Sequence, residues 1–359
     1  MEISTKIQNI KPSPTIAMNS KAKELKAQGK DIISLSAGEP DFNTFDNICE
    51  AAITAIKQEK TKYTAVDGTV ELKDAIISKF KRDSNIKFGR ENITVGSGGK
   101  QVIYNALVAS INPGDEVIIP SPYWVSYPDM VKLVGGDPVL VDSHVENNFI
   151  VLASDLEKKI TSKTKWIILN YPSNPTGSTI DANRLYDIAK LLKKHPQVNI
   201  LSDDIYEHIT YDGKKSLNIL EVAPDCRDQV LIVNGASKVY SMTGWRIGYG
   251  AGPAELIKAM AKVQSQTTSN PCSISQEAAT EALNGSQDPI EENNKLFKDR
   301  RDIIHEKINQ IDGLSCLKPN GAFYLFISCE ELIGRSTPDG KIIENDSDLI
   351  LHLLDDALV

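Results

Sequence analysis

Five stretches of the chain carry residues whose types and spacing suit chemistry. Lys238 follows the apolar run VLIVNG, and Arg246 comes soon after it in NGASKVYSMTGWRIGYGAG. A lysine amine can form a Schiff base once burial or a neighbouring cation lowers its pKa. An arginine can hold a phosphate through two parallel hydrogen bonds. In LSDDIYEHITY, Asp203 and Asp204 end an apolar run and Tyr206 follows. A carboxylate at a buried strand end is costly without a cationic partner, and a protonated ring nitrogen is one such partner. Asp204 reads equally well as a surface ion pair or a helix cap. NYPSNPTGS aims Asn174 from a proline-ordered loop. SPYWVSYP presents Trp124, which could stack on a planar ligand or pack into the core. VGSGGKQ places Gly98, Gly99 and Lys100 between a strand and a helix, where free backbone N–H groups and the helix dipole favour a phosphate.

Each stretch alone also reads as an ordinary turn or core contact. Together they describe one ligand with a planar ring, a phosphate, a protonated ring nitrogen and a carbonyl for lysine to capture. Pyridoxal 5′-phosphate has these parts.

These residues need elements to position them. Short apolar runs at residues 93–95, 116–120, 165–170, 198–204 and 230–235 predict strands covered on both faces. Helices are predicted over residues 99–110, 181–194 and 253–264. The alternation predicts an α/β protein with a largely parallel sheet, in which ligands bind at the carboxyl ends of the strands. Beyond residue 284 a charged helix over 289–311, a strand over NGAFYLFISC, a loop around 336–345 and a helix in SDLILHLLDD are expected. Residues 357–359 read as the start of a further strand.

The chain has 359 residues, 41% hydrophobic and 25% charged, enough for a sizeable core in one large or two domains. A net charge of −8 argues against nucleic acid or an anionic membrane as partner. The 5 cysteines and 5 histidines are scattered without ligand spacing, so neither a disulfide framework nor a metal site is expected. The sequence shows no secretory leader pattern and no long apolar run, so a cytoplasmic enzyme is the expectation.

Taken in order, KPSPT, SAGEPDF, KYTAVDG, GSGGKQ, SPYWVSYP, NYPSNPTG, SDDIYEH, SKVYSMTGWRIGYGAGP and NGAFY span nearly the whole chain. This series resembles the class I aminotransferases of pyridoxal-phosphate fold type I, close to the bacterial-type aspartate and aspartate/prephenate group. The resemblance implies a three-layer fold with a mainly parallel sheet in a large domain, residues 45–285. Residues 1–44 and 286–359 would form a smaller α+β domain. By the same resemblance Lys238 is the Schiff-base lysine and Asp203 the partner of the ring nitrogen. Asn174 and Tyr206 hold the cofactor's O3′, and Trp124 stacks on its ring. Gly98, Gly99, Lys100, Ser237 and Arg246 form the phosphate cup. Tyr63 reaches the phosphate of a neighbouring subunit, which implies a homodimer with shared sites. Gly38 touches the substrate α-carboxylate, and Thr15 and Lys100 hold a side-chain carboxylate, with Trp124 and Asn174 also facing substrate. For Lys100 an ion-paired surface lysine is the other reading.

Two departures qualify the resemblance. Asp204 stands where glutamate is usual. The family's α-carboxylate arginine has no match here, since Arg335, the last arginine, falls in the small-domain loop; either the chain continues past Val359, or the missing segment takes with it much of substrate binding and part of the small-domain fold. The implied reaction is ping-pong transamination of L-aspartate with 2-oxoglutarate, and in some members prephenate. Lys238 moves a proton from the substrate Cα. Other readings are an aromatic or kynurenine aminotransferase, a carbon–sulfur lyase, or a cofactor-binding chain without turnover. A nicotinamide dehydrogenase built on GYGAG lacks the acidic residue that should follow, since that window reads SNPCSIS.

Overall fold

The computed structural model describes residues 1–8, 10, 14–35 and 38–359, with the side chains of 14–17 and 19 outside that description. Seven strands form the central sheet: β1 (Ile93–Gly96), β2 (Glu116–Ser121), β3 (Asp137–Asp142), β4 (Thr164–Leu169), β5 (Asn199–Asp203), β6 (Val230–Gly235) and β7 (Gly248–Ala251). Their spatial order is β1-β7-β6-β5-β4-β2-β3. The four pairings among β2 to β6 are parallel, and only β7 runs antiparallel, between β1 and β6.

The apolar runs arise because both faces of the sheet are covered. Successive side chains of a strand point to opposite faces. Along β4, Ile167 and Leu169 join one cluster with Leu72, Ile76, Phe80, Leu185 and Ile188. Trp166 and Ile168 join another with Val102, Ile103, Leu107, Met130 and Met260. The first cluster is roofed by helices Val70–Ser84 and Ala182–Lys194, the second by Gly99–Ser110, Ser126–Val134 and Ala254–Ser265. Helix, sheet and helix thus make three layers, the α/β arrangement expected.

Strands β3 and β7 were not foreseen. β3 is a half-exposed edge strand containing Pro138, and charged residues stand at both its ends. β7 is a run of small residues, and glycine depresses any sequence-based strand expectation. Its glycines are required by proximity: a Cβ on Gly248 would overlap the backbone of Gly98 and Gly99.

The C-terminal expectations need two corrections. NGAFYLFISC is not a strand throughout; Ile327–Ser328 pairs with Ser315–Cys316, and Gly321 makes one isolated bridge to Thr210. Residues 320–324 are instead a loop pinned by backbone bonds. Gly177 O accepts Asn320 N at 3.1 Å and Gly321 N at 2.9 Å, Ile209 O accepts Ala322 N at 2.9 Å, and Ala322 has φ 53°. Residues 357–359 do not extend into a strand, because a π turn spans Leu353–Ala357 and Leu358 has φ 59°. Helices Asp288–Ile308 and Asp346–His352 fall where helices were expected. Among the described residues no helix is long and apolar enough to cross a membrane.

Candidate active site

The chemistry-bearing side chains gather at the carboxyl ends of β4, β5 and β6. Lys238 lies three residues past β6, half-buried, and its Nζ donates to Gly38 O at 2.5 Å. Burial pushes the amine down to about 8; the Arg246 charge assists, while Glu39 and Asp203 oppose. An amine there is neutral far more often than a surface lysine.

Asp203 ends β5 and is buried. Tyr127 OH donates to its Oδ2 at 2.6 Å, and Ile205 N to its Oδ1 at 3.4 Å. Burial raises this carboxyl to about 6, against the pull of those two donors and of Lys238. Asp204 is also buried, so the surface ion-pair and helix-cap readings fail for it. It accepts from Ser202 Oγ at 2.6 Å and from Asn218 Nδ2, and burial pushes it up to about 8. Asp204 therefore serves the interior, and only Asp203 meets Lys238.

Asn174 and Tyr206 converge, as the resemblance implied, but on a residue that had no assigned role. Tyr206 OH lies 2.6 Å from Tyr324 OH, and Asn174 Nδ2 donates to the same oxygen at 3.4 Å. The Asn174 loop is braced by Asn170, whose Oδ1 accepts Asn174 N at 2.7 Å while its Nδ2 reaches Asp203 O at 2.8 Å. Burial and the neighbouring Tyr324 hold the Tyr206 phenol well above its ordinary pKa.

The residues expected around the phosphate lie near one another. Gly98 has φ 93°, a left-handed conformation that favours glycine, and a Cβ there would run into the Arg246 guanidinium. Arg246 donates to Thr243 O at 2.8 Å and Ser97 O at 3.3 Å and remains exposed. Gly99 and Lys100 open the Gly99–Ser110 helix, whose first-turn N–H groups have no intrahelical acceptors. Ser237 is buried at the end of the same corner, one residue before Lys238. Exposed cationic and N–H donors around a glycine cradle fit a phosphate. An amine, a ring-nitrogen partner and two phenol-oxygen donors nearby fit the rest of pyridoxal phosphate.

Lys100 carries its Nζ 4.6 Å over the Trp124 ring, and the Trp124 ring meets Tyr127 edge-on at 5.2 Å. Burial, helped by Arg246, lowers the Lys100 amine. Lys100 is exposed, as a surface lysine would be, but it has no ion pair among the described residues and sets its charge over an aromatic face instead. Tyr63 is 91% exposed. The Thr15 side chain lies outside the described residues, as do residues 11–13 of KPSPT and Ser36 and Ala37 of SAGEPDF. Arg335 pairs with Asp312 at 3.0 Å. Tyr127 and Tyr324 were missed in the sequence. Tyr127 sits in the first turn of the Ser126–Val134 helix just past Trp124, and nothing in the sequence shows its hydroxyl's partner.

Comparison with known proteins agrees with this geometry. The family model described as aminotransferase class I and II matches residues 30–357. A probable aspartate/prephenate aminotransferase from Rickettsia bellii is 57% identical over 357 residues, 99% of this chain and 90% of its own length. The aspartate/prephenate aminotransferase from Cereibacter sphaeroides is 50% identical over 355 residues, 99% of this chain and 89% of its own. Among solved structures, the aspartate aminotransferase from Rhizobium meliloti superimposes with TM-score 0.96 at 47% identity, covering 100% of this chain and 90% of that one. The aspartate aminotransferase from Thermus thermophilus with maleate gives TM-score 0.88 at 42% identity over 91% of this chain and 85% of that one.

Proposed function

The chain belongs to the class I and II aminotransferases, and we propose that it moves the amino group of L-aspartate to 2-oxoglutarate on pyridoxal 5′-phosphate. The observation that carries this reading is the meeting of Lys238, Asp203, Asn174, Tyr206 and Arg246 at one end of the sheet.

Bound there, the cofactor supplies an aldehyde and an electron-accepting ring. Lys238 would hold the aldehyde, and its amine, when free, is the group placed to take the proton from the substrate Cα. A pKa of about 8 leaves it a useful neutral fraction near pH 7. Asp203 keeps a proton on the ring nitrogen, and the cationic nitrogen in turn favours its ionised form. Tyr206 and Asn174 donate to the ring oxygen, Trp124 covers one ring face, and Arg246 with Ser237 and the Gly98, Gly99 and Lys100 backbone holds the phosphate. Gly38 meets the α-carboxylate, and Lys100 with Thr15 meets the distal carboxylate of aspartate. Prephenate, named for relatives, is a further substrate on the same carboxylate contacts. Residues 45–285 form the cofactor-binding domain, and 1–44 with 286–359 the smaller one. Tyr63 reaches the phosphate of a second copy in a homodimer, a role its exposure supports.

The test is optical. The chain loaded with pyridoxal phosphate should show a visible band that L-aspartate bleaches and 2-oxoglutarate restores. Lys238→Ala should lose the band and cut turnover by about 10²–10⁴-fold, the usual worth of a proton-transfer residue. A band that survives in Lys238→Ala, or ignores aspartate while answering another amino acid, sinks the assignment.

A further inference from the structure

Tyr324 stands where three segments meet. Its hydroxyl is 2.6 Å from that of Tyr206 and accepts from Asn174 Nδ2 at 3.4 Å. The two tyrosine rings pack edge to face with centroids 5.6 Å apart. On its other side the same oxygen faces Gly38. A Cβ built on Gly38 would lie 2.8 Å from the hydroxyl oxygen, but 3.6 Å from the nearest ring carbon. Gly38 is also the residue whose carbonyl accepts from Lys238. Tyr324 cannot simply back away. Its loop is bonded to Gly177 O and Ile209 O, and Tyr211 OH donates to Ala322 O. Gly177 itself has φ 67°, and a Cβ there would strike Pro319 and Gly321 O.

We propose that Tyr324 is a positioning residue whose hydroxyl aims Tyr206 and Asn174 and sets how closely the Gly38 segment approaches them. A phenol both donates and accepts, so one oxygen can serve both neighbours at once. A hydrogen bond accepted by Tyr206 polarises its own O–H and makes it the stronger donor to a third oxygen. Gly38 must lack a side chain because this oxygen occupies the space. The N-terminal segment and the loop at residues 320–324 are thereby registered against each other through one atom. The aiming role rests on the reading of Asn174 and Tyr206 as the pair that holds the cofactor's ring oxygen; the steric role does not.

Two measurements on the full chain separate these parts. The first is a double-mutant cycle read by melting temperature with Gly38→Ala and Tyr324→Phe. Gly38→Ala should lower the melting temperature in the wild-type background. It should lower it much less in the Tyr324→Phe background, where only the ring carbons remain to be met. Additive losses would refute the steric coupling. The second is the pH midpoint of the bound cofactor's visible absorbance. Tyr324→Phe should raise it by about half a pH unit or more, the equivalent of one neutral hydrogen bond. Weaker donation from Tyr206 stabilises an oxygen anion less, so the protonated form persists to higher pH. Phe326→Leu, a packing change two residues beyond Tyr324 against the Phe149 ring and without loss of a hydroxyl, should lower the melting temperature and leave the midpoint alone. An unmoved midpoint in Tyr324→Phe, or an equal shift in Phe326→Leu, overturns the aiming role. If the wild type takes up no visible cofactor, the transaminase reading fails and the aiming role falls with it, and the melting cycle still decides whether Tyr324 sets the Gly38 approach.

Discussion

Two groups of carboxylates, one half-buried and one buried, lie near the turn after β5, and they are neutralised in opposite ways. Glu207 is ion-paired to Lys79, which is only 1% exposed, and it accepts Asn234 Nδ2 at 2.6 Å. Lys79 also lies 3.5 Å from Asp83, and His208 Nε2 is 3.1 Å from Asp83 and 3.4 Å from Glu207. Burial works to raise Glu207, but the Lys79 charge and then His208 outweigh it and hold it below its ordinary pKa. Asp203 has no ion pair among the described residues; it is served by the neutral Tyr127 hydroxyl and a backbone N–H. Burial therefore wins, and it rises to about 6. The first group carries its own cation and is structural. The second is left wanting a cation, which is what makes it a receptor for one.

The largest effect expected from this contrast is on stability. Lys79→Ala removes the buried cation and leaves the half-buried Glu207 and Asp83 without it. It should cost about 3–5 kcal/mol in urea denaturation, the usual result of breaking a buried pair from one side. A loss below about 1 kcal/mol would mean that solvent already neutralises those acids.

Tyr127→Phe probes the other side. It removes the donor that pulls Asp203 down, so the carboxyl should hold its proton to higher pH. The acid limb of the pH–rate profile should move up, and kcat/KM near neutrality should fall about 10-fold, as for loss of a hydrogen bond to a charged group. The melting temperature should also fall modestly, because a buried carboxyl oxygen loses its donor. An unmoved acid limb would show that Asp203 is not the group that titrates there.

The most gradual effect concerns Asp204, whose carboxyl rises from 3.8 to about 8. The folded chain thus holds a proton that the unfolded chain gives up within that window. Its contribution to stability is full below about pH 4 and is lost as pH rises toward 8. Asp204→Asn removes this dependence, so its melting temperature relative to wild type should improve steadily from about pH 4 to about pH 8. A constant difference across that range would place the proton elsewhere.

The legible parts of the site were those fixed by position along a strand. Lys238, Asp203 and Asn174 each follow an apolar run closely, and chain ends of parallel strands leave little freedom about where such residues go. Tyr127 was hidden because a buried helical tyrosine looks like core until its hydroxyl's partner is known. Tyr324 sat inside a run of aromatic and apolar residues that imitates a strand; what prevents pairing there is a set of bonds to Gly177 and Ile209, both far away in sequence. β7 was unreadable for the opposite reason. Its glycines alternate with a single buried tyrosine, Tyr249, too short a run to show a strand period. Lys79 and Glu207 gave no signal, since nothing local distinguishes a lysine that pairs internally from a solvated one.

The antiparallel strand β7 has a consequence for how the chain assembles. Gly248 pairs with Gly96 on one side and Gly235 on the other, so β7 closes the seam between the first strand of the sheet and the rest. Arg246 reaches Ser97 across 149 residues of chain only when that seam is shut. Loop closure over such a span is paid for before any contact rewards it, which puts the seam late in assembly. A partly assembled sheet can display Lys238 and Asp203 on neighbouring strands, but it has no anion corner. Ligand binding at that corner therefore selects completed molecules and adds its free energy to the finished state alone.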